Sequence, residues 1–173
     1  MEQPSLKERA MIGGAVIGTL LGILLLIRYF TGTFFSSSLL LGFLERLVQI
    51  VGLYQIVIRF PFAPEKQRWI HLFGFGSLVM FFASILTSFT TYLLYTFDPE
   101  LIQQSVDLAL KGVESLQPQT DMSQYEEAFG QLTPFILFIS NLFSATFMGV
   151  LLSAAIAAFC MLTRYMRRKN PFE

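Results

Sequence analysis

Four long runs of apolar residues alternate with polar segments along the chain. The runs cover about residues 10–30, 37–60, 70–97 and 134–163. Each is long enough to supply the roughly 20 mostly apolar residues that a helix needs to cross the hydrocarbon core of a membrane. The pattern therefore predicts an all-α, polytopic membrane protein with four transmembrane helices, in a single four-span domain of residues 1–173.

The polar segment between the third and fourth runs, about residues 98–133, predicts helices of another kind. Asp98 is a favourable N-cap and Pro99 suits the first helical position. Apolar residues then recur at steps of three and four and form one stripe: Ile102, Val106, Ala109, Val113 and Leu116. We expect an amphipathic helix that packs on the membrane surface or on the ends of the neighbouring spans. A cap that binds a ligand or a partner is the alternative.

The composition agrees with a membrane location. Hydrophobic residues make up 54% of the chain and charged residues 14%, whereas soluble domains have about a quarter of their residues charged. The formal net charge is zero, which predicts no nucleic-acid partner. The one cysteine, Cys160, excludes an intramolecular disulfide and a cysteine-based metal site.

Basic residues outside the spans are distributed unevenly. The two tails and the second connection carry Lys7, Arg9, Arg59, Lys66, Arg68, Arg164, Arg167, Arg168 and Lys169, whereas the segment 98–133 carries Lys111 alone. Because basic residues gather on the cytoplasmic side of membrane proteins, we expect both termini in the cytoplasm and residues 98–133 outside it. The last four basic residues are expected to contact anionic lipids of the bilayer.

A second interpretation of the first run is a cleaved signal peptide. Basic residues precede it, and small residues follow it near Ser36 to Ser38. The run is longer than the roughly 7–15 apolar residues of such a peptide, which favours a retained span.

The second run contains charged residues within an otherwise apolar stretch. Glu45 and Arg46 are neighbours, and Gln49 follows one turn later. Neighbouring helical residues point about 100° apart, so each charge needs its own partner. Glu45 and Arg28 lie roughly 22–27 Å above the cytoplasmic ends of their helices, which predicts an ion pair near the outer boundary. Arg46 is expected to reach polar groups on the third or fourth span, for which the candidates are Thr87, Ser88, Asn141 and Ser144.

Ionisable groups inside a membrane are candidates for function. One hypothesis is a small oligomeric proton- or ion-coupled transporter that uses Glu45 as carrier together with Arg46. The other is a structural charge pair that fixes the orientation of the helices while the charged ends reach toward water. The structural interpretation is the favoured one.

Two spans carry small residues at every fourth position. They are Gly14, Gly18 and Gly22 in the first span, and Ala145, Gly149 and Ser153 in the fourth. Small residues on one face allow helix backbones to approach closely in a membrane. We expect tight contacts at both faces, either with each other or with a second copy of the protein.

The sequence contains no motif that indicates an enzyme. It has no nucleotide-binding loop and no zinc-protease helix, and its one histidine, His71, follows Trp69 at the predicted inner boundary. We therefore expect no catalytic residue, no metal and no cofactor. The expected function is that of a non-enzymatic membrane scaffold, assembly or binding component, with a homo-oligomer or another membrane protein as possible partner.

Four features together resemble a family of short bacterial membrane proteins catalogued as domain of unknown function four-one-nine-nine. They are the glycine-rich first span, "RWIHLFGFG" at the start of the third span, "YTFDPELIQQ" at its end, and the "RRKNPFE" tail. The resemblance covers nearly the full chain. It implies four spans in a bacterial inner membrane, assigns no activity, and supplies no catalytic residues.

Overall fold

The computed structural model describes residues 5–35, 39–59, 68–116 and 123–169, which form six helices and no strand. The helices are α1 (Leu6–Phe30), α2 (Leu39–Arg59), α3 (Trp69–Phe97), α4 (Glu100–Leu116), α5 (Ser123–Gly130) and α6 (Pro134–Lys169). Four of them, α1, α2, α3 and α6 as far as Thr163, are long and apolar enough to cross a membrane. The prediction of an all-α polytopic membrane protein is confirmed.

Polar residues cap the starts of two spans. α1 begins at Leu6 rather than near residue 10, since Ser5 Oγ accepts a hydrogen bond from the Glu8 amide and the Glu8 carboxylate accepts one from the Ser5 amide. This reciprocal pair satisfies two amides that the first turn leaves without helical partners. α6 begins at Pro134, where the Thr133 hydroxyl accepts a hydrogen bond from the Ile136 amide at 3.3 Å.

The centre of the bundle is α3, and α1 packs against it through glycines. A Cβ atom built at Gly14 would lie 2.6 Å from the Val79 carbonyl oxygen, and one at Gly18 would lie 2.9 Å from the Ala83 carbonyl oxygen. Both distances are too short for a real side chain, so the two helix backbones are in direct contact. Gly22 extends the contact, because its Cβ position is 3.1 Å from the Thr90 hydroxyl.

α6 packs against another side of α3 in the same manner. A Cβ atom at Gly149 would lie 2.7 Å from the Met80 Cβ, and one at Gly76 would lie 3.2 Å from the Ser153 Cβ. Ala145, in the same series on α6, is half-buried. Tight contacts therefore form at both predicted faces, but the predicted partners were wrong. Neither face needs the other or a second copy, because α3 lies between them.

Neighbouring contacts fix the directions of the four spans. α1 runs parallel to α3, since Gly14 lies against Val79 and Tyr29 bonds to Asp98. α6 runs antiparallel to α3, since Ser153 lies against Gly76 while the Asn141 amide donates to the Thr91 hydroxyl. The start of α1 and the end of α6 are therefore on the same side of the bundle.

The core lies around the N-terminal half of α3. Its fully buried side chains come from all four spans and include Ile17, Leu53, Phe75, Val79 and Cys160. α2 contributes least, because only Leu53 and Val57 of its residues are buried. Most of α2 therefore faces the surroundings of the bundle.

Candidate functional site

Arg28 and Glu45 form an ion pair between α1 and α2. Arg28 Nε lies 3.3 Å from Glu45 Oε1, and the two side chains are 19% and 24% exposed. Arg28 is in the last turn of α1, and Glu45 is about 9 Å from the start of α2 at helical rise. The structure thus brings together the pair expected from their depths in the membrane.

The contact is an electrostatic pair rather than an oriented hydrogen bond. Arg28 Nε is buried and has no hydrogen-bond partner of acceptable geometry among the described residues. The guanidinium also lies close to Gly42, where a Cβ atom would be 3.8 Å from Nη2. The pair links the C-terminal end of α1 to the N-terminal part of α2 and neutralises both charges.

Arg46 does not reach the third or fourth span, so that prediction was wrong. Its Nη1 donates to Gln49 Oε1 at 3.1 Å on the same helix, and the Arg46 side chain is exposed. The physical reason is the position of α2, whose buried residues, Leu53 and Val57, both lie in its C-terminal half. On the same side of the helix, Arg46 and Ile50 are exposed.

The polar groups proposed as partners for Arg46 are in different environments. Asn141 donates to the Thr91 hydroxyl at 3.2 Å, and the Thr87 hydroxyl donates to the Ala83 carbonyl at 2.9 Å. Ser144 is exposed on α6. Ser88 is fully buried, and its hydroxyl has no hydrogen-bond partner within the described part of the chain.

A row of buried hydroxyls on α3 was not recognised from the sequence. Ser84, Ser88, Thr91 and Tyr95 recur at steps of four, three and four, and all are buried. The Ser84 hydroxyl donates to the Met80 carbonyl at 2.8 Å, so its own helix satisfies it. The spacing was a readable signal, because it is that of one helix face. Ser84 and Thr91 allow close packing while their hydroxyls bond to their own helix, whereas the Ser88 hydroxyl is left without such a bond among the described residues.

Asp98 joins the ends of three helices, α1, α3 and α4, at one end of the bundle. The Tyr29 hydroxyl donates to Asp98 Oδ2 at 3.2 Å, and the Glu100 amide donates to Asp98 Oδ1 at 3.2 Å. Asp98 also ends α3, where its amide donates to the Leu94 carbonyl at 2.9 Å. Asp98, the predicted N-cap of α4, therefore also connects α4 to α1 through its hydrogen bond with Tyr29.

The first turns of α4 are fixed on the bundle by apolar contacts and one further hydrogen bond. Leu101 is 5% exposed and packs with Leu94 and Tyr95. The Tyr95 hydroxyl lies 3.0 Å from the Ser105 hydroxyl, which also bonds to the Leu101 carbonyl. The base of α4 is thus part of the folded core.

Beside this base, α4 and the segment around α5 border an open groove. This cap groove has a volume of about 380 Å³, and its lining includes Ile102, Val106, Asp107, Phe129 and Leu132. Its surface is mixed, because two members of the predicted stripe line it together with polar groups of Gln103 and Asp107. The stripe continues beyond the groove to Leu116, which is 84% exposed.

The surface around the cap groove is acidic. Residues 98–133 contain seven acidic residues and one basic residue. Four of the acidic side chains are exposed on the two helices: Glu100, Asp107, Glu114 and Glu127. The cap therefore presents a groove of mixed apolar and polar lining within a negatively charged surface.

Residues 13–161 match the family model described as a protein of unknown function, DUF4199. This chain belongs to the DUF4199 family. The match includes the ion pair, Arg46 and the whole cap. No curated protein and no solved structure gives a significant match.

The DUF4199 description assigns no activity, so the roles of the site residues depend on their chemistry. Within the described residues, no three His, Cys, Asp or Glu side chains are grouped so that they could hold a metal ion. The predicted lipid-contacting residues Arg164, Arg167, Arg168 and Lys169 are in the last turns of α6. Their side chains lie outside the described part of the chain, and the lipid contact stays a prediction.

Proposed function

We propose that this DUF4199 protein is a non-enzymatic protein of the bacterial inner membrane that binds a partner protein through its outer cap. It would act as an assembly or scaffold component. The cap groove carries the proposal, because the first turn of α4 is anchored to the bundle while the groove beside it stays open and is lined by both apolar and acidic side chains. A surface of this kind favours recognition of another protein over chemistry on a small substrate.

The charge distribution supports an orientation in which the cap lies outside the cytoplasm. Lys7, Arg9, Arg59 and Arg68 are at the end of the bundle where α1 starts, and the cap at the other end carries only Lys111. Basic residues near span ends favour the cytoplasmic side. The C-terminal end of α6 is on the same side as the start of α1, so both termini would be cytoplasmic.

The partner segment should combine apolar and basic residues. Apolar side chains would enter between Val106 and Phe129 and remove the groove floor from water. Basic side chains would meet Asp107 and the other exposed carboxylates at the rim. Charge complementarity of this kind mainly speeds association and selects the partner.

Transport receives less support from the geometry of the charged residues. Glu45 is held by Arg28, and Arg46 is held by Gln49. A carrier group must be available to pick up and release its ion, whereas Glu45 is engaged in joining two helices. The ion pair therefore supports the structural interpretation, and the transporter is not proposed.

The test uses two variants of α4 that introduce the same charge at different positions. Val106→Arg places a cation in the groove, whereas Gln104→Arg places it at an exposed position outside the groove lining. Wild type and variants are extracted in native lipid discs, and the intact complexes are weighed by mass spectrometry. We expect a complex with a second protein in wild type and Gln104→Arg, and its loss in Val106→Arg.

Two results would contradict the proposal. One is a second protein that stays bound to Val106→Arg as it does to wild type. The other is a wild-type disc that holds copies of this chain alone. Circular dichroism of both variants controls for loss of helix.

A further inference from the structure

Arg46 lies on the side of α2 that carries Leu53 and Val57. This side is buried at Leu53 and Val57 but exposed at Arg46. Leu53 and Val57 follow Arg46 by seven and eleven residues, which places all three on one side of the helix. Leu53 is 0% exposed and Val57 is 1% exposed, whereas Arg46 is exposed. The outer half of α2 has therefore separated from the bundle on the side that carries Arg46.

The contact between Val57 and α3 shows which α3 residue is level with Arg46 along the two helices. A Cβ atom at Gly76 would lie 3.6 Å from Val57 Cγ2, and α2 and α3 run in opposite directions. Eleven residues farther along each helix, Arg46 is level with Thr87. Thr87 supplies no countercharge, because its hydroxyl donates to the Ala83 carbonyl. Arg46 therefore has no countercharge from α3 at this level.

The positive charge of Arg46 is not compensated by the neighbouring Arg28–Glu45 pair. Arg28 and Glu45 neutralise each other, so the three groups together carry one positive charge. A guanidinium stays protonated and has five N–H donors, and Nη1 donates to Gln49. An anion with several oxygen acceptors suits the remaining donors, and a phosphate group is the strongest ligand of this kind.

The surroundings of Arg46 indicate that the phosphate belongs to a lipid. Phe43, Leu47 and Ile50 are 64%, 40% and 48% exposed, so an apolar surface flanks the cation. Arg46 lies seven residues, or about 10 Å, from the start of α2. Nη1 bonds to Gln49, three residues toward the C-terminal end, but a helical arginine is also able to extend toward the N-terminal end, which here is the cap side. Its charged group can therefore reach the headgroup level while acyl chains cover the flanking side chains.

A second copy of the chain would be a poorer occupant. Copies related by an axis normal to the membrane bring residues of equal depth together. Arg46 would then face another Arg46, or a Glu45 that Arg28 already engages. We infer that the outer half of α2, at Arg46 and Gln49, binds the phosphate of an anionic membrane lipid in the leaflet on the cap side.

Binding of phosphatidylglycerol to purified protein, followed by native mass spectrometry, tests the site. Arg46→Gln removes the charge at an exposed position, and Arg59→Gln is the matched control at the opposite end of the same helix. We expect about tenfold weaker lipid binding for Arg46→Gln than for Arg59→Gln, since the loss of a charge-assisted hydrogen bond has about this effect. Arg46→Lys should keep part of the affinity, because it retains the charge but not the planar donors.

Three outcomes would overturn the assignment. Equal phosphatidylglycerol binding by the two glutamine variants would exclude Arg46 as the site. Displacement of the lipid by glycerol phosphate, which has the headgroup without acyl chains, would identify a soluble anion as the ligand. Conversion of a dimer to a monomer by Arg46→Gln, with lipid binding unchanged, would identify a second copy as the occupant.

Discussion

Replacing Gly14 with alanine should destabilise the bundle, although alanine is the better helix former. The added Cβ would lie 2.5 Å from the Phe82 Cβ and 2.6 Å from the Val79 carbonyl oxygen. The Val79 atom belongs to the backbone of α3, so rotation of a side chain cannot relieve the contact. The two helices must separate locally, and the packing of neighbouring core residues such as Ile17 is lost.

The magnitude follows from two opposing effects. Overpacking of a close-packed interior costs about 1–3 kcal/mol. The exchange of glycine for alanine within a helix favours folding by up to about 1 kcal/mol. We expect a net loss of roughly 1–2 kcal/mol, because the near contact involves a backbone atom that cannot turn away.

Gly74→Ala is the matched control, since it makes the same chemical change in α3. A Cβ atom at Gly74 has no neighbour within 4 Å among those considered, and the residue is exposed. This variant should be neutral or slightly stabilised. The free energy of unfolding is measured by titration with denaturing detergent in mixed micelles, with helix content as the signal. Equal stability changes for the two variants would refute the close contact between α1 and α3.

Two further predictions concern the outer side of the bundle. A double-mutant cycle with Arg28→Gln and Glu45→Gln should give a favourable coupling energy of about 1–2 kcal/mol in unfolding titrations. The reason is that both side chains are less than one-quarter exposed. A coupling energy near zero would show that the ion pair does not stabilise the fold. Tyr95→Phe removes the contact with the Ser105 hydroxyl and should cost about 1 kcal/mol. Faster hydrogen exchange in the first turns of α4 measures this loss, and an unchanged rate would show that the contact does not anchor the cap.

Local chemistry explains what the sequence alone could predict. A span requires a certain length of apolar residues, so the four membrane helices follow from a one-dimensional pattern. Caps act within one turn, which is why Asp98 and Thr133 mark the starts of α4 and α6. The Arg28–Glu45 pair was also predictable, because helical rise converts position along the chain into depth. The sequence therefore predicts the depth of a residue in the membrane and the local geometry of its helix.

Only the tertiary structure decided which helices are neighbours. The small residues spaced around Gly18 and Gly149 define a face on each helix, but the spacing does not predict which helix packs against that face. Both faces meet α3, because α3 is at the centre of the bundle. The environment of Arg46 depends in the same way on the separation of α2 from α3 in its outer half, since Leu53 on the same side of the helix is buried. A sequence pattern gives the direction of a side chain relative to its own helix, whereas its surroundings depend on how far the next helix is from it.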